Sequence, residues 1–258
     1  MEITFRWLGI AGIEFTTGGH TLLIDPVFTR PPAWAVLGGV RVTPDPALAA
    51  RHAPRCDHLL ITHGHDDHLL DAPTILRQTG AGGCGSPNTC AILRLGGVAA
   101  NRVACIAPGD RFTLGPWRAQ ALPAWHVKTP LDWRINGPLS SNARYPLPLL
   151  DYRMDTCLSF ALACGERRVL VGNHPQGPVD TIFVAPFLPP NLLRNLLTTC
   201  RPRRVVAIHW DDFSRPLSRP LKPLSYLGRS AYTFGRQIER IMPGVEVLVP
   251  EIFHSYAL

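Results

Sequence analysis

Within six residues, His63-Gly64-His65-Asp66-Asp67-His68 present three imidazoles and two carboxylates, directly behind the apolar run His58-Leu59-Leu60-Ile61-Thr62. A strand that stops and at once offers this many nitrogen and oxygen donors builds a metal site at a sheet edge. Such donors suit Zn2+ first, and Mn2+ or Fe2+ are also bound by them. Solvated turns often hold a histidine or an aspartate, which accounts for one or two of these residues. It does not account for four at H-x-H-x-D-H spacing behind a buried strand. A cation held by three imidazoles keeps a position open for water and lowers that water's pKa from 15.7 towards roughly 7. The expected chemistry is attack of metal-bound hydroxide on a carbonyl carbon or phosphorus, with Asp67 accepting or relaying the proton.

The run Thr62-His63-Gly64-His65-Asp66-Asp67-His68 resembles the signature of the metallo-β-lactamase-fold hydrolases. Gly9-Ile10-Ala11-Gly12-Ile13 and Leu22-Leu23-Ile24-Asp25-Pro26 are similar to that family's opening hairpin, and His126 and His209 stand where it has its later histidines. Within the superfamily the chain is most similar to the branch of the ascorbate-phosphate lactonases and related hydrolases. The resemblance implies an αββα sandwich of two mixed sheets flanked by helices, formed as one domain over residues 1–258, with the site at the sheet edges. It further implies one metal on His63, His65 and His126, and another on Asp67, His68 and His209. Asp25, which ends its strand before Pro26, either orients a ligand histidine through the free ring nitrogen or shapes a turn. One family feature is absent. Where a bridging aspartate is common, this chain reads Val169-Leu170-Val171-Gly172-Asn173-His174. Asn173 offers a neutral carbonyl and His174 an imidazole, and neither neutralises two cations as a carboxylate does. Asp155 and Asp180 are the remaining substitutes, Asp180 at the opening of a strand.

The elements that must carry these residues read as follows. Ile3-Leu8, Ile13-Thr16 and Thr21-Ile24 are expected strands, with the hairpin turn at Gly18-Gly19. Asp45-Pro46 and Ser86-Pro87 pair a cap with proline at the first helical position, opening helices through Arg51 and Leu95. Asp71 to Gln78 is a helix stopped near Gly80. Further strands are expected at His58-Ile61, Val103-Ile106, Arg111-Leu114, Trp117-Leu122, Cys157-Ala163, Arg168-Val171, Thr181-Ala185, Val205-Ile208 and Val245-Val249, with helices at Asn191-Thr199 and Ser230-Ile241. Two strand-rich halves with interspersed helices suit two packed sheets covered on their outer faces.

Bulk composition narrows the function classes. The chain has 258 residues, 46% hydrophobic and 17% charged, which supports a buried core and excludes a disordered chain. The net charge of +7 comes from scattered arginines rather than a basic run interleaved with aromatics, so nucleic acid is not the expected partner. A small anionic substrate is, with no feature setting an oligomeric state. Seven cysteines without a C-x-x-C pair are expected as free thiols in a reducing compartment. With no signal-peptide core and no bilayer-length apolar stretch, the expected setting is cytoplasmic, with no membrane. Val127 to Tyr152 is long, rich in proline and follows His126. Its Trp133, Arg134 and Arg144 are the candidate substrate wall. Two other functions compete with hydrolysis: an iron-dependent oxidoreductase using the same ligands, and a non-catalytic metal or ligand binder.

Overall fold

The computed structural model describes residues 2–258. Apolar residues alternate between two destinations along the first strands, and this places the first sheet between two cores. Leu22, Ile24 and Leu60 face the second sheet, while Leu23, Leu59 and Ile61 face a helical layer. That sheet is formed by β1 (Ile3–Gly9), β2 (Gly12–Thr17), β3 (His20–Ile24), β4 (His58–Leu60), β5 (Gly82–Gly85) and β6 (Val103–Cys105), with the last strand of the chain, Ser255–Ala257, added beside β1. The helices α1 (Ala33–Leu37), α2 (Pro46–His52), α3 (Asp66–Leu69), α4 (Ala72–Thr79) and α5 (Pro87–Leu95) connect its parallel part. Asp45 and Ser86 accept backbone N–H groups at the starts of α2 and α5, and Gly80 ends α4 with φ 76°.

The second sheet contains β7 (Arg111–Leu114), β8 (Trp117–Pro123), β9 (Leu158–Cys164), β10 (Arg167–Val171), β11 (Thr181–Val184), β12 (Arg204–Ala207) and β13 (Glu246–Leu248), in spatial order from β13 to β7. A short α6 (Asp132–Ile135) lies between β8 and β9, and α7 (Pro190–Cys200) and α8 (Ala231–Ile241) make the parallel crossovers at the far side. Each sheet contains parallel and antiparallel pairs. Aromatic rings join the two inner faces: Phe5 and Phe15 lie 4.9 Å and 5.3 Å from Phe183, and Trp7 stacks on Trp210 at 4.8 Å. The result is the expected αββα sandwich of mixed sheets. Among the described residues no helix is long and apolar enough to cross a membrane.

Several elements were not expected, among them the short helices α3 and α6. The strand β5 reads Gly82-Gly83-Cys84-Gly85, a composition that disfavours strands. Packing explains it: a Cβ on Gly83 would stand 2.6 Å from Leu76 of α4, and one on Gly85 2.5 Å from Thr89 of α5. Only glycine lets those helices press onto the sheet. The terminal strand (β14) and the five-residue α1 likewise rest on tertiary contacts, β14 through its pairing with β1.

Candidate metal centre

Register brings the first pieces together. Ile24 pairs with Leu60 in β3 and β4, so the residues that follow each strand emerge side by side. Asp25 is 1% exposed and adopts φ 47°, a left-handed conformation that aspartate tolerates better than most residues. Its Oδ1 accepts the Thr62 amide at 2.8 Å, and its Oδ2 meets Thr62 Oγ1 at 2.5 Å and His68 Nδ1 at 2.7 Å. An ionised carboxylate only accepts, so both neighbours of Oδ2 must donate. Thr62 has a single hydroxyl proton and gives it to Asp25. Its oxygen therefore accepts from His63 Nδ1, 3.0 Å away. This chain of donors fixes tautomers: His63 and His68 carry protons on Nδ1 and turn Nε2 towards the site.

His65 precedes α3 in extended backbone and is oriented from the other side. Its Nε2 lies 3.1 Å from Asn136 Oδ1, an acceptor, so the proton sits on Nε2 and Nδ1 bears the lone pair. That Nδ1 is 3.1 Å from His63 Nε2. With both protons on the far nitrogens, the two facing nitrogens present lone pairs to each other, an arrangement that a shared cation relieves. Two nitrogens bound tetrahedrally at about 2.0–2.1 Å from Zn2+ would be about 3.3 Å apart. His126 completes the trio, its ring centroid 4.8 Å from that of His63 and 4.9 Å from that of His65. Donor atoms of His63, His65 and His126 lie within 4.8 Å of one another, as do those of His63, Asp67 and His68. His209 joins the second group, with Nε2 3.2 Å from Asp67 Oδ2 and its ring 5.1 Å from that of His68. His126 Nδ1 and His209 Nδ1 are buried without a hydrogen-bond partner. The donors fit a divalent cation.

Electrostatics favours the same state. Burial, with neighbouring imidazoles adding to it, pushes His63 well below the ordinary histidine value, and burial with His65 and His68 takes His126 to about 4. Neutral imidazole is the form that binds metal. Burial opposes a charge on Asp67, yet His68 and the His209 hydrogen bond outweigh it and hold the carboxyl well below the usual range. For His68 burial is likewise outweighed, by Asp25 and Asp67, and its pKa rises. Burial and then Asp67 raise Asp66 to about 8.

The later segments are anchored by tertiary contacts. Asn173 pairs its amide with the peptide of Trp125, donating to the carbonyl at 2.8 Å and accepting the N–H at 2.9 Å, which sets the residue before His126. Leu158 N donates to Thr62 O at 2.9 Å and ties the two sheet edges. His209 has φ 56°, and its amide donates to Ile10 O. Ile10 N in turn donates to Asp211, whose carboxylate makes a fully buried ion pair with Arg30 at 2.7 Å. Two non-glycine residues in left-handed backbone at one site, Asp25 and His209, fit the tendency of strain to gather where function is held.

Several expected residues do not join. Both polar atoms of Asn173 are used by Trp125, so it offers no bridge, and His174 lines neither of the cavities flanking the cluster. Asp155 caps the start of α5 through Ser86 and Asn88, and Asp180 accepts the Arg168 amide. The expected basic wall is also corrected. Arg134 is ion-paired with Asp151, Trp133 is 78% exposed, Arg144 reaches only the neighbouring Ala143 carbonyl, and none of the three lines either cavity. The segment from Val127 to Tyr152 does form a wall, through Val127, Leu131, Ile135 and Leu150. Asn136 and Thr62 are the positioning residues that the sequence did not single out. Thr62 sits inside the motif, but nothing near Asn136 in sequence marks it.

A family model of the beta-lactamase superfamily domain matches residues 20–169. A metal-dependent hydrolase of Anaeromyxobacter dehalogenans is 41% identical over 31% of this chain and 25% of its own length. Another from Carboxydothermus hydrogenoformans is 31% identical over 49% of this chain and 48% of its own. The chain thus spans about a quarter to a half of the curated relatives it matches. Among solved structures, a metallo hydrolase from the archaeon Ignicoccus hospitalis superposes with a TM-score of 0.62 over 100% of this chain and 99% of that one, at 14% identity.

Proposed function

This chain belongs to the β-lactamase superfamily, and from that membership we propose that it is a metal-dependent hydrolase of a small ester, lactone or phosphoester. The observation that carries this reading is the approach of two imidazole nitrogens, His63 Nε2 and His65 Nδ1, to 3.1 Å, with Thr62 and Asn136 placed to take up the opposite ring nitrogens. The curated relatives, named metal-dependent hydrolases, support it. Zinc is the ion this nitrogen-rich set suits best. When bound, the ion supplies a Lewis acid for the electrophile and lowers the pKa of the attacking water.

Each side chain has a part. His63, His65 and His126 would hold one ion, and Asp67, His68 and His209 would hold a second more weakly, because Asn173 supplies no bridging carboxylate. Asp67, kept ionised by His68 and His209, is too weak a base to keep a proton and would instead accept a hydrogen bond from the attacking water and orient it. Asp25 and Thr62 keep the imidazoles of His68 and His63 in the binding tautomer. The cysteines, free of disulfides, support a reducing, cytoplasmic setting.

Elemental analysis of the purified protein, beside a panel of chromogenic esters, lactones and phosphodiesters, tests the reading. We expect bound zinc and turnover, both lost when His63 and His65 are replaced by alanine. Equal metal in that double variant would sink it, and bound iron with O2 consumption but no ester turnover would replace it with a redox enzyme.

A further inference from the structure

Above the imidazole cluster lies a cavity of about 410 Å3, within the range of small-molecule sites. His65, Asp67, His126 and His209 form its floor. Its walls are drawn from distant segments, among them Val36, Leu131, Ile135, Leu150, Phe213 and Leu224. No lysine or arginine belongs to this lining, and its only acidic side chains are Asp66 and Asp67. Arg134, on the same α6 as Ile135, turns its guanidinium to Asp151 instead. Three of the chain's arginines, Arg111, Arg118 and Arg168, line a groove at the β7–β10 face, which shares no residue with this cavity. A smaller chamber of about 140 Å3, which shares His126, Val127, Phe187 and His209 with it, is lined further by Leu158, Val171, Phe183 and Leu188.

We infer that the substrate is an uncharged molecule with an apolar body, held by its hydrolysable group at the metal and by alkyl or aryl surface against these walls. This rests on the hydrolase reading and replaces the anionic substrate expected from net charge. An anionic tail would leave water for a wall without a cation to pair it, and burying an unpaired carboxylate is strongly unfavourable. Apolar surface gains from the same transfer.

Two probes that do not require turnover separate this inference from the hydrolase reading. Hexanohydroxamic acid and its counterpart carrying a carboxylate in place of the terminal methyl share one chelating head and differ only in tail charge. Calorimetric titration into the zinc-loaded protein should show the neutral compound binding at least tenfold more tightly. Leu131→Lys, which sets a cation on the wall, should erase or invert that preference. Equal affinity for the two probes, a tighter carboxylate, or a preference that Leu131→Lys leaves intact would overturn the inference. Matched neutral and ω-carboxylate esters complete the comparison. Ester turnover without charge preference refutes the substrate class and leaves the hydrolase standing. A neutral-tail preference in binding without turnover of any ester upholds the class and refutes the hydrolase.

Discussion

Asp25→Asn changes two atoms of charge and hydrogen count at the point where the tautomer relay begins. Asparagine tolerates the left-handed backbone at φ 47° and has the same shape, so strain and cavity effects stay small. Its carbonyl can keep the Thr62 amide at the position of Oδ1. The amide nitrogen then occupies the place of Oδ2, 2.5 Å from Thr62 Oγ1 and 2.7 Å from His68 Nδ1, both of which now donate. To avoid donor facing donor, His68 must move its proton to Nε2, the nitrogen turned to the metal. Two hydrogen bonds to a charged acceptor, worth about 1.5–3 kcal/mol each, become neutral bonds of about 0.5–1.5 kcal/mol. Relief of the buried charge offsets part of this, leaving an expected loss of about 1–3 kcal/mol in the metal-free protein. Zinc affinity of the group formed by Asp67, His68 and His209 should fall about 10–100-fold, as when partners of ligand histidines are removed. Urea unfolding gives the first quantity, competition with a chromophoric chelator the second, and nitrogen-detected NMR of the imidazoles the tautomer. Zinc affinity within threefold of the wild type, with the proton still on His68 Nδ1, would refute the relay.

Asn173→Asp supplies a carboxylate where a bridging aspartate is common, yet its oxygen would face the Trp125 carbonyl, and we expect about 1–3 kcal/mol of lost stability with no gain in zinc titration. Tighter zinc binding in that variant would restore the bridging role. In the metal-free protein, unfolded histidines take protons below pH 6.5 while folded His126 resists to about 4 and His63 further still. Stability therefore falls as pH drops through that window, with His68, whose pKa is raised, acting in the opposite sense. A Tm scan from pH 7 to pH 5 should decline, and His126→Gln should flatten the decline; a rising Tm contradicts it. Gly83→Ala drives a methyl into Leu76 and should cost about 1–3 kcal/mol in urea unfolding, whereas an unchanged midpoint would show that α4 does not press on β5.

Local signals made much of this protein legible before any coordinates. Short apolar runs with a Gly-Gly turn marked β1 to β4, cap-then-proline pairs opened α2 and α5, and the H-x-H-x-D-H run after β4 announced its donors, because such signals act over a few residues. Tertiary structure decided what polar groups do once several partners compete for them. Asp25 could have shaped a turn, but β3–β4 register delivers it to Thr62 and His68. Asn173 could have met a metal, but the Trp125 peptide takes both of its polar atoms. Arg134 could have met a substrate, but Asp151 neutralises it, leaving the cavity to leucines and isoleucine from the same loop. Even β5, whose glycines argue against a strand, exists because two helices need the space. Residue type and spacing set which donors a chain can offer. Long-range packing assigns each to a partner, since a buried polar group is paired with whatever the fold brings within hydrogen-bond distance.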